Sequence, residues 1–414
     1  MKFLVLCSGL YMSLANALAD GGKNTVWYLT MTESAFPKYA EFAPGNNFGY
    51  LKKVRLIDIH KYAKEADAIV TFDTGVNGLI ELFRNIYPDK CVFGAGLGEK
   101  LETNRVAFKK MLEVLELDVI PYVVIKGFDA LRKYLKANPK KVIKAEANFR
   151  GDFETLIAKD YDSIKQILDD RQPLFGIYSE EIEFIVEDMV DCVVESGFDG
   201  IHSAGEFTAI SYGYEVAKNG YIGKVTRDVP EILMETLEAF QPIFEKFGYA
   251  GMVSTEERIV SRNKHFFIDP CCRGPLPLGV LYARFIKNFA EVVYKAGRNE
   301  PFEIECDHKY FGAFALSTGN AKEHFTLVKI KKGHEDDFRF EMATQDKDKN
   351  IYSVKGLETV VVSVAGGETP EEVTDKLKDS VNYVEAFNLE TDEIKGVDEI
   401  LDVIEKGKTV GVEF

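Results

Sequence analysis

The stretch from Gly251 to Arg273 constrains the fold of this chain most, because it has the pattern of a β-hairpin with charged residues at set positions. Two β-prone runs, Met252–Val260 and His265–Asp269, flank a short polar break. Residues opposed across an antiparallel pair share a face, with Cβ atoms roughly 4.5–5.5 Å apart. A symmetric register predicts three opposed pairs: Ser261 with Lys264, Val260 with His265, and Glu256 with Asp269.

The opposed carboxylates of Glu256 and Asp269 call for a positive partner, because like charges that face each other across two strands repel. Hard oxygen ligands suit Mg²⁺, which commonly binds through one or two carboxylates together with nucleotide phosphates. The alternative is a solvated hairpin whose two acids are exposed and are relieved by Arg258. If the strand stays extended, Cys271 and Arg273 join the same face as the two acids, because side chains alternate along a strand.

Composition indicates a large globular protein. A length of 414 residues predicts two to four domains, at a prior of about 150 residues per domain. Apolar residues make up 46% of the chain, which is ample for a core. The net charge of −16 and the scattered Lys and Arg residues disfavour a general role in binding nucleic-acid phosphates.

The six cysteines show neither metal-ligand spacing nor a CxxC motif, so we expect reduced thiols in a cytoplasmic protein. No apolar run reaches the roughly 18 residues that span a membrane. The segment Met1–Ala19 shares some features with a signal peptide. We interpret it as part of the fold, because Ser8 and Gly9 interrupt its apolar run.

The first 95 residues alternate short apolar strands with helical segments, which is the pattern of a parallel α/β sheet. A nicotinamide-dependent oxidoreductase with a dinucleotide-binding fold is one alternative. No GxGxxG motif follows the first predicted strand, which disfavours that alternative. The predicted strands are Lys2–Cys7, Thr25–Met31, Asp67–Phe72 and Cys91–Phe93.

The rest of the chain predicts two further regions. Residues 96–115 have the pattern of one charged amphipathic helix, and strands such as Lys141–Lys144 and Glu181–Glu187 follow before the hairpin. Beyond Glu303, several strands and a helix indicate a small α+β domain. The helix is predicted over Thr369–Val384, and it begins with a Thr and a Glu at the spacing of a capping box.

The order of these segments resembles that of the ATP-grasp ligases, and most closely that of the phosphoribosylamine–glycine ligase (glycinamide ribonucleotide synthetase) family of purine synthesis. The resemblance is one of pattern rather than near identity, and it runs through most of the chain. It rests on six segments: Leu4–Ala19, Phe93–Arg105, Val142–Asp152, Phe184–Met189, the hairpin Gly251–Arg273, and Gly356–Leu377.

The resemblance implies a multidomain α/β and α+β protein. A Rossmann-like parallel α/β domain would occupy residues 1–95, and an ATP-grasp domain residues 96–302, with a lid subdomain at about 120–190. A small α+β domain would occupy residues 303–414. The implied activity is an ADP-forming carbon–nitrogen ligase that joins a small carboxylate to a small amine through an acyl phosphate. It would use ATP and Mg²⁺ (or Mn²⁺), act as a monomer or homodimer, and bind neither nucleic acid nor a membrane.

The resemblance also implies a role for each candidate site residue. Lys144 and Arg273 would be catalytic, since a lysine before a Gly-containing loop binds phosphate as a point charge and a guanidinium matches a carboxylate or acyl phosphate. The metal ligands would be Glu256, Asp269 and Cys271. The ATP-binding residues would be Arg105, Lys144, Gly151, Glu187, Asp188 and Glu195, with Glu195 accepting hydrogen bonds from the ribose.

Some positions depart from the family pattern. Cys271 stands where the family has an asparagine, and sulfur is a poor ligand for Mg²⁺. The lid loop Asn148–Asp152 is poorer in glycine, with only Gly151 to let backbone N–H groups approach phosphate. A second hypothesis is therefore an ATP-binding relative that is catalytically weak and serves a partner.

The family's substrate motifs are also replaced. Gly200–Thr208, which contains His202 and Glu206, and Gly274–Pro277 stand in their places. We therefore expect an amine acceptor other than phosphoribosylamine. His202 and Glu206 are candidates for contact with that acceptor, although a loop histidine is more often simply exposed.

Overall fold

The structure, a computed structural model, describes residues 1–30, 43–145, 155–216 and 219–414. Its N-terminal part is a five-stranded parallel sheet, as predicted. The strands are β1 (Lys2–Cys7), β2 (Thr25–Thr30), β3 (Leu51–Val54), β4 (Ala68–Thr71) and β5 (Cys91–Phe93), in the order β3-β2-β1-β4-β5. Helices α1 (Met12–Ala17), α2 (Ile59–Glu65) and α3 (Asn77–Ile86) connect them. The sequence analysis missed β3, whose two central lysines interrupt its apolar pattern.

The predicted helix over residues 96–115 is divided. A 3₁₀ turn at Gly96–Glu99 leads into α4 (Lys100–Thr103), and α5 (Arg105–Val114) begins anew after Asn104. Asn104 leaves the helical conformation (φ −115°, ψ 84°), and its side chain accepts a hydrogen bond of 2.9 Å from the Ala107 N–H. Asn104 therefore ends α4 and is the N-cap of α5.

A four-stranded antiparallel sheet follows, and we call it the small sheet. Its strands β6 (Tyr122–Lys126), β7 (Lys141–Ala145), β8 (Thr155–Ala158) and β9 (Glu183–Asp188) lie in the order β6-β9-β7-β8. Helices α6 (Phe128–Ala137) and α7 (Lys165–Phe175) cover one face and share an apolar core with it.

The central part of the chain supplies five long strands and one long helix. These strands are β10 (Val194–Ser203), β11 (Glu206–Val216), β12 (Gly220–Val225), β13 (Gly251–Ser261) and β14 (Lys264–Cys271), and the helix is α8 (Glu231–Lys246). Two shorter helices follow the hairpin, α9 (Gly279–Phe285) and α10 (Phe289–Ala296).

Strands from residues 303–414 join two different sheets. The strands are β15 (Tyr310–Ser317), β16 (Thr326–Ile330), β17 (Phe338–Arg339), β18 (Ala343–Gln345), β19 (Ile351–Ser353), β20 (Thr359–Gly367) and β21 (Val384–Ala386). The large sheet is antiparallel in the order β14-β13-β10-β11-β12-β15-β20-β17, and a separate sheet has the order β18-β19-β16-β21. The C-terminal strands therefore extend the sheet that holds the hairpin, and the predicted domain boundaries remain a proposal.

Three more helices lie in this last part of the chain: α11 (Asn320–Glu323), α12 (Pro370–Ser380) and α13 (Ile400–Thr409). Thr369 caps α12, because its side chain accepts a hydrogen bond of 3.2 Å from the Glu372 N–H, as the capping-box spacing predicted. In the described ranges, every helix is too short or too polar to cross a membrane.

The hairpin of β13 and β14 confirms two of the three predicted pairs. Glu256 faces Asp269 and Ser261 faces Lys264, but the partner of His265 is Ile259, so its predicted pairing with Val260 was wrong. The pairing skips Val260 on one strand and Ile268 on the other. Each irregularity shifts the register by one residue and the two shifts cancel, so both acids still share one face.

Candidate active site

A cavity of about 260 Å³ lies on the hairpin face of the large sheet, and we call it the central cavity. Strands β10 to β14 form its floor, the α4–α5 segment and β8 lie along its sides, and the chain after Arg273 closes one end. Its charged lining residues are Glu102, Arg105, Asp199, Glu215, Glu256, Asp269 and Arg273.

Lys144 and Asp269 join the two sheets at this cavity. The Nζ atom of Lys144 donates to the Asp269 carboxylate at 2.7 Å. Burial acts to lower the pKa of Lys144, but the carboxylates of Asp269 and Glu187 outweigh it and hold that pKa above its usual value. Burial likewise acts to raise the pKa of Asp269, and the Lys144 ammonium and Arg105 outweigh it, so the pKa of Asp269 is lowered. Both groups are therefore charged at neutral pH.

Glu187 is held by two lysines. Its carboxylate lies 2.5 Å from the Lys109 Nζ atom and 4.0 Å from the Lys144 Nζ atom. The side chains of Lys109 and Glu187 are each 3% exposed, so this is a buried ion pair that orients Lys144. The sequence analysis missed Lys109. The sequence feature that could have identified Lys109 is its position one helical turn after Arg105, which puts both cations on one face of α5. The Arg105 guanidinium donates to the Ala145 carbonyl at 3.1 Å.

Three carboxylates meet beside the hairpin: Glu195, Glu215 and Glu256 offer oxygen atoms that lie within 4.8 Å of one another. Burial, and next the charges of Glu215 and Asp269, raise the pKa of Glu256 well above its usual value. The Glu215 side chain is exposed to the cavity. Even so, the protein around it restricts water and, with the Glu195 charge, raises the pKa of Glu215 to about 7. Crowded acids of this kind are stabilised by a cation, and carboxylate oxygens suit Mg²⁺ or Mn²⁺.

Glu215 was missed by the sequence analysis. Its only signal is its place at the end of β11, where the register sets Tyr214 against Ser196 and so brings Glu215 beside Glu195. Arg258 does not relieve the opposed acids of the hairpin, since it pairs with Glu195 at 2.7 Å. The alternative of a solvated hairpin whose two acids are relieved by Arg258 therefore does not hold for this face.

Arg273 lines the central cavity and is held there by neighbouring side chains. Its guanidinium donates to Glu102 at 2.8 Å and to the Tyr11 hydroxyl at 2.9 Å. Glu102 also accepts the Cys272 backbone N–H at 2.8 Å. Cys271 lines the cavity whereas Cys272 is fully buried on the opposite face, as alternation along the strand predicted.

Other predicted residues lie elsewhere. Asp188, at the end of β9, pairs with Lys141 at the start of β7, and neither residue lines the central cavity. His202 is fully buried in β10, where its Nδ1 atom lies 3.0 Å from the Tyr249 carbonyl, so the expectation of an exposed loop histidine was wrong. Neither His202 nor Glu206 lines the central cavity. Gly151 and the lid loop Asn148–Asp152 lie outside the described residues.

No protein-family model and no curated protein sequence matches this chain. Solved structures match its fold. Phosphoribosylamine–glycine ligase from Thermotoga maritima is 17% identical, with a TM-score of 0.69 over 94% of this chain and 98% of that chain. N5-carboxyaminoimidazole ribonucleotide synthetase from Thermotoga maritima is 11% identical, with a TM-score of 0.63 over 94% of this chain and 99% of that chain.

A third match is the biotin carboxylase domain of 2-oxoglutarate carboxylase from Hydrogenobacter thermophilus, in complex with the magnesium salt of ADP and with bicarbonate. It is 10% identical, with a TM-score of 0.66 over 98% of this chain and 96% of that chain. All three are ATP-grasp ligases. Nearly the whole chain is therefore similar to them in fold, and the resemblance seen in the sequence is confirmed: this protein has the multidomain ATP-grasp fold.

Proposed function

We propose that this protein is an ATP-dependent, ADP-forming ligase that joins a carboxylate to an amine. One observation carries the proposal: Lys144 from the small sheet meets Asp269 of the hairpin at the edge of a cavity that also holds Glu256 and Arg273. These side chains come from distant parts of the chain, and together they offer phosphate-binding, metal-binding and carboxylate-binding groups.

ATP would bind between the small and large sheets. Lys144 and Arg105 supply positive charge for its phosphates, and Gly151 of the lid loop would let backbone N–H groups approach them. Glu187 and Asp188 at the end of β9 would meet the adenine through backbone groups, because their side chains are engaged by lysines. Glu195 would accept hydrogen bonds from the ribose.

A divalent cation would be held by Glu256 and Asp269, with Cys271 in the position of a third ligand. The donor set fits, since burial and next the charges of Glu215 and Asp269 raise the pKa of Glu256, and a cation compensates such crowded carboxylates. Glu195 and Glu215 lie close enough to Glu256 to share it. When bound, Mg²⁺ or Mn²⁺ would neutralise charge on the transferred phosphate.

The proposed reaction has two steps. The substrate carboxylate attacks the γ-phosphorus of ATP, the bond to the β-phosphate oxygen breaks, and ADP leaves with that electron pair. Lys144 and Arg273 stabilise the charge of the acyl phosphate. The amine then attacks the acyl carbon, phosphate leaves, and the nitrogen loses a proton as the amide forms.

The test is ADP release with Mg·ATP over a matrix of small carboxylates and amines, with glycine and phosphoribosylamine included. Glu256→Ala and Asp269→Ala would be compared with wild type, and Glu238→Gln, an exposed substitution on α8, is the control. ADP that appears only with one substrate pair, and is lost in both hairpin variants, supports the ligase. ATP binding without ADP release from any pair favours the catalytically weak relative, which the sulfur ligand Cys271 motivates.

A further inference from the structure

The central cavity contains a buried acid with no role in the proposed function. Asp199 on β10 is 4% exposed and lines the cavity. The Tyr221 hydroxyl donates to its Oδ2 atom at 2.6 Å. The Ser254 hydroxyl also favours its ionised form. Both of these groups are neutral.

A glycine on the large sheet leaves room for the hydrogen bond between Tyr221 and Asp199. Tyr221 lies on β12 and Asp199 lies on β10, so the tyrosine must cross β11 to reach the carboxylate. It crosses at Gly213, where an added Cβ atom would lie 2.4 Å from the Tyr221 hydroxyl oxygen. Gly213 lines the cavity with both residues. A larger residue at this point would displace the hydroxyl and release the carboxylate.

Asp199 is poorly compensated by the charges around it. Glu215 on β11 acts to raise its pKa, and the groups that face it from β12, β13 and α9 are Tyr221, Ser254 and Tyr282. Burial raises the pKa of Asp199 to about 7, against the hydrogen bond from Tyr221 and the influence of the Ser254 hydroxyl. A buried carboxylate of this kind is stabilised by a cationic partner.

Among the described residues, no cation is one of the groups that shift the pKa of Asp199. Arg273 is paired with Glu102, and Arg105 bonds to the Ala145 carbonyl and acts on Asp269. The described lining therefore contains more carboxylates than cations. A phosphate placed beside Asp199 would be repelled by its carboxylate, whereas an ammonium group there would have a partner of opposite charge.

We propose that Asp199, positioned by Tyr221, binds the ammonium group of a small, unphosphorylated amine acceptor. This inference rests on the proposed function, whose acceptor it assigns to a chemical class. Before the amide forms, the ammonium gives one proton to the Asp199 carboxylate. The freed lone pair then attacks the acyl carbon, phosphate leaves with the electron pair of the broken C–O bond, and the nitrogen gives its second proton to the departing phosphate.

The test is isothermal titration calorimetry on the full chain, without ATP or metal. The three compounds titrated are ethylammonium chloride, phosphoethanolamine, and ethanol as the uncharged isostere of ethylammonium. Wild type is compared with Asp199→Asn, Tyr221→Phe and the exposed control Glu238→Gln. We expect ethylammonium to bind wild type and the control. Asp199→Asn should weaken that binding by at least about tenfold, the range for a hydrogen bond to a charged group. Tyr221→Phe should weaken it less, and the other two compounds should bind weakly.

Equal ethylammonium binding by wild type and folded Asp199→Asn would overturn the inference, as would tighter binding of phosphoethanolamine. Loss of binding in Glu215→Gln but not in Asp199→Asn would place the cation at the three-glutamate cluster and would also overturn it. If Asp199→Asn does not fold, the Tyr221→Phe result decides: unchanged binding counts against the inference. The titration needs no turnover, so a failure of ADP release would count against the proposed function alone.

Discussion

The Nζ atom of Lys144 on β7 lies 2.7 Å from the Oδ2 atom of Asp269 on β14, and this contact links the small sheet to the hairpin of the large sheet. The Lys144 side chain is buried, and Asp269 retains partial exposure toward the central cavity. The positive charge proposed for the phosphates therefore lies against an acid proposed for the metal.

Lys144→Met should destabilise the protein and impair ADP release. Removing one partner of a buried ion pair costs about 3–5 kcal/mol, and we expect the lower end because Asp269 is partly exposed. The matched control is Lys141→Met on the same strand, whose partner Asp188 is nearly half exposed, with an expected cost below about 1 kcal/mol. Urea unfolding measures the stability of both variants, and equal midpoints of their unfolding transitions would contradict the expectation. ADP release should fall roughly 10²–10³-fold in Lys144→Met, as for the loss of a group that stabilises transition-state charge.

Glu256→Gln should change stability and activity in opposite directions. A glutamate with a raised pKa contributes stability below its unfolded pKa and loses it as pH rises, so the variant should exceed wild type in unfolding free energy at pH 8 without metal. Added Mg²⁺ should stabilise wild type more than the variant, because the variant lacks one ligand. ADP release should be lost. Thermal unfolding with and without Mg²⁺ provides the measurement, and an equal Mg²⁺ response in both proteins would argue against metal binding at Glu256.

Cys271→Asn should lower the Mg²⁺ concentration needed for half-maximal ADP release. The substitution replaces a soft sulfur with a hard oxygen ligand at the cavity lining. Cys192→Asn is the control, since Cys192 is partly buried and does not line the cavity. A Mg²⁺ titration of ADP release compares the variants. An unchanged half-maximal concentration would show that residue 271 does not contact the metal.

Glu341 should make the wild-type protein less stable as pH rises, and Glu341→Gln should remove this loss of stability. Burial raises the pKa of Glu341 from 4.5 to about 7, and the nearby Arg273 offsets only part of the rise. The folded pKa is above the unfolded value, so this glutamate stabilises the fold fully below about pH 4.5 and progressively less up to about pH 7. The difference between these two pKa values corresponds to roughly 3 kcal/mol.

Urea unfolding of Glu341→Gln at pH 5 and pH 7.5 measures this effect. The wild type should lose more stability between the two pH values than the variant does. Glu323→Gln, at an exposed position in α11, should retain the wild-type pH dependence. Parallel pH dependence of Glu341→Gln and wild type would contradict the prediction.

The sequence by itself determined the local features of this protein. Apolar runs such as Lys2–Cys7 and Cys91–Phe93 predicted their strands, because burial of a short strand depends on side chains within that strand. The opposed positions of Glu256 and Asp269 were also predicted from the short turn, and the prediction is correct because two one-residue shifts in the hairpin cancel. The order of such segments was enough to indicate the ATP-grasp fold.

Only the tertiary structure decided which distant groups meet. Lys109 reaches Glu187 because α5 packs against the small sheet, and Glu215 reaches Glu256 because β10 lies between β11 and β13. Tyr221 reaches Asp199 by crossing Gly213 on the strand between them. Spacing along the chain carries no information on such contacts, since they arise from strand order, bulges and helix direction. Strand order, bulges and helix direction are set by packing of the whole core rather than by residues near each other in sequence.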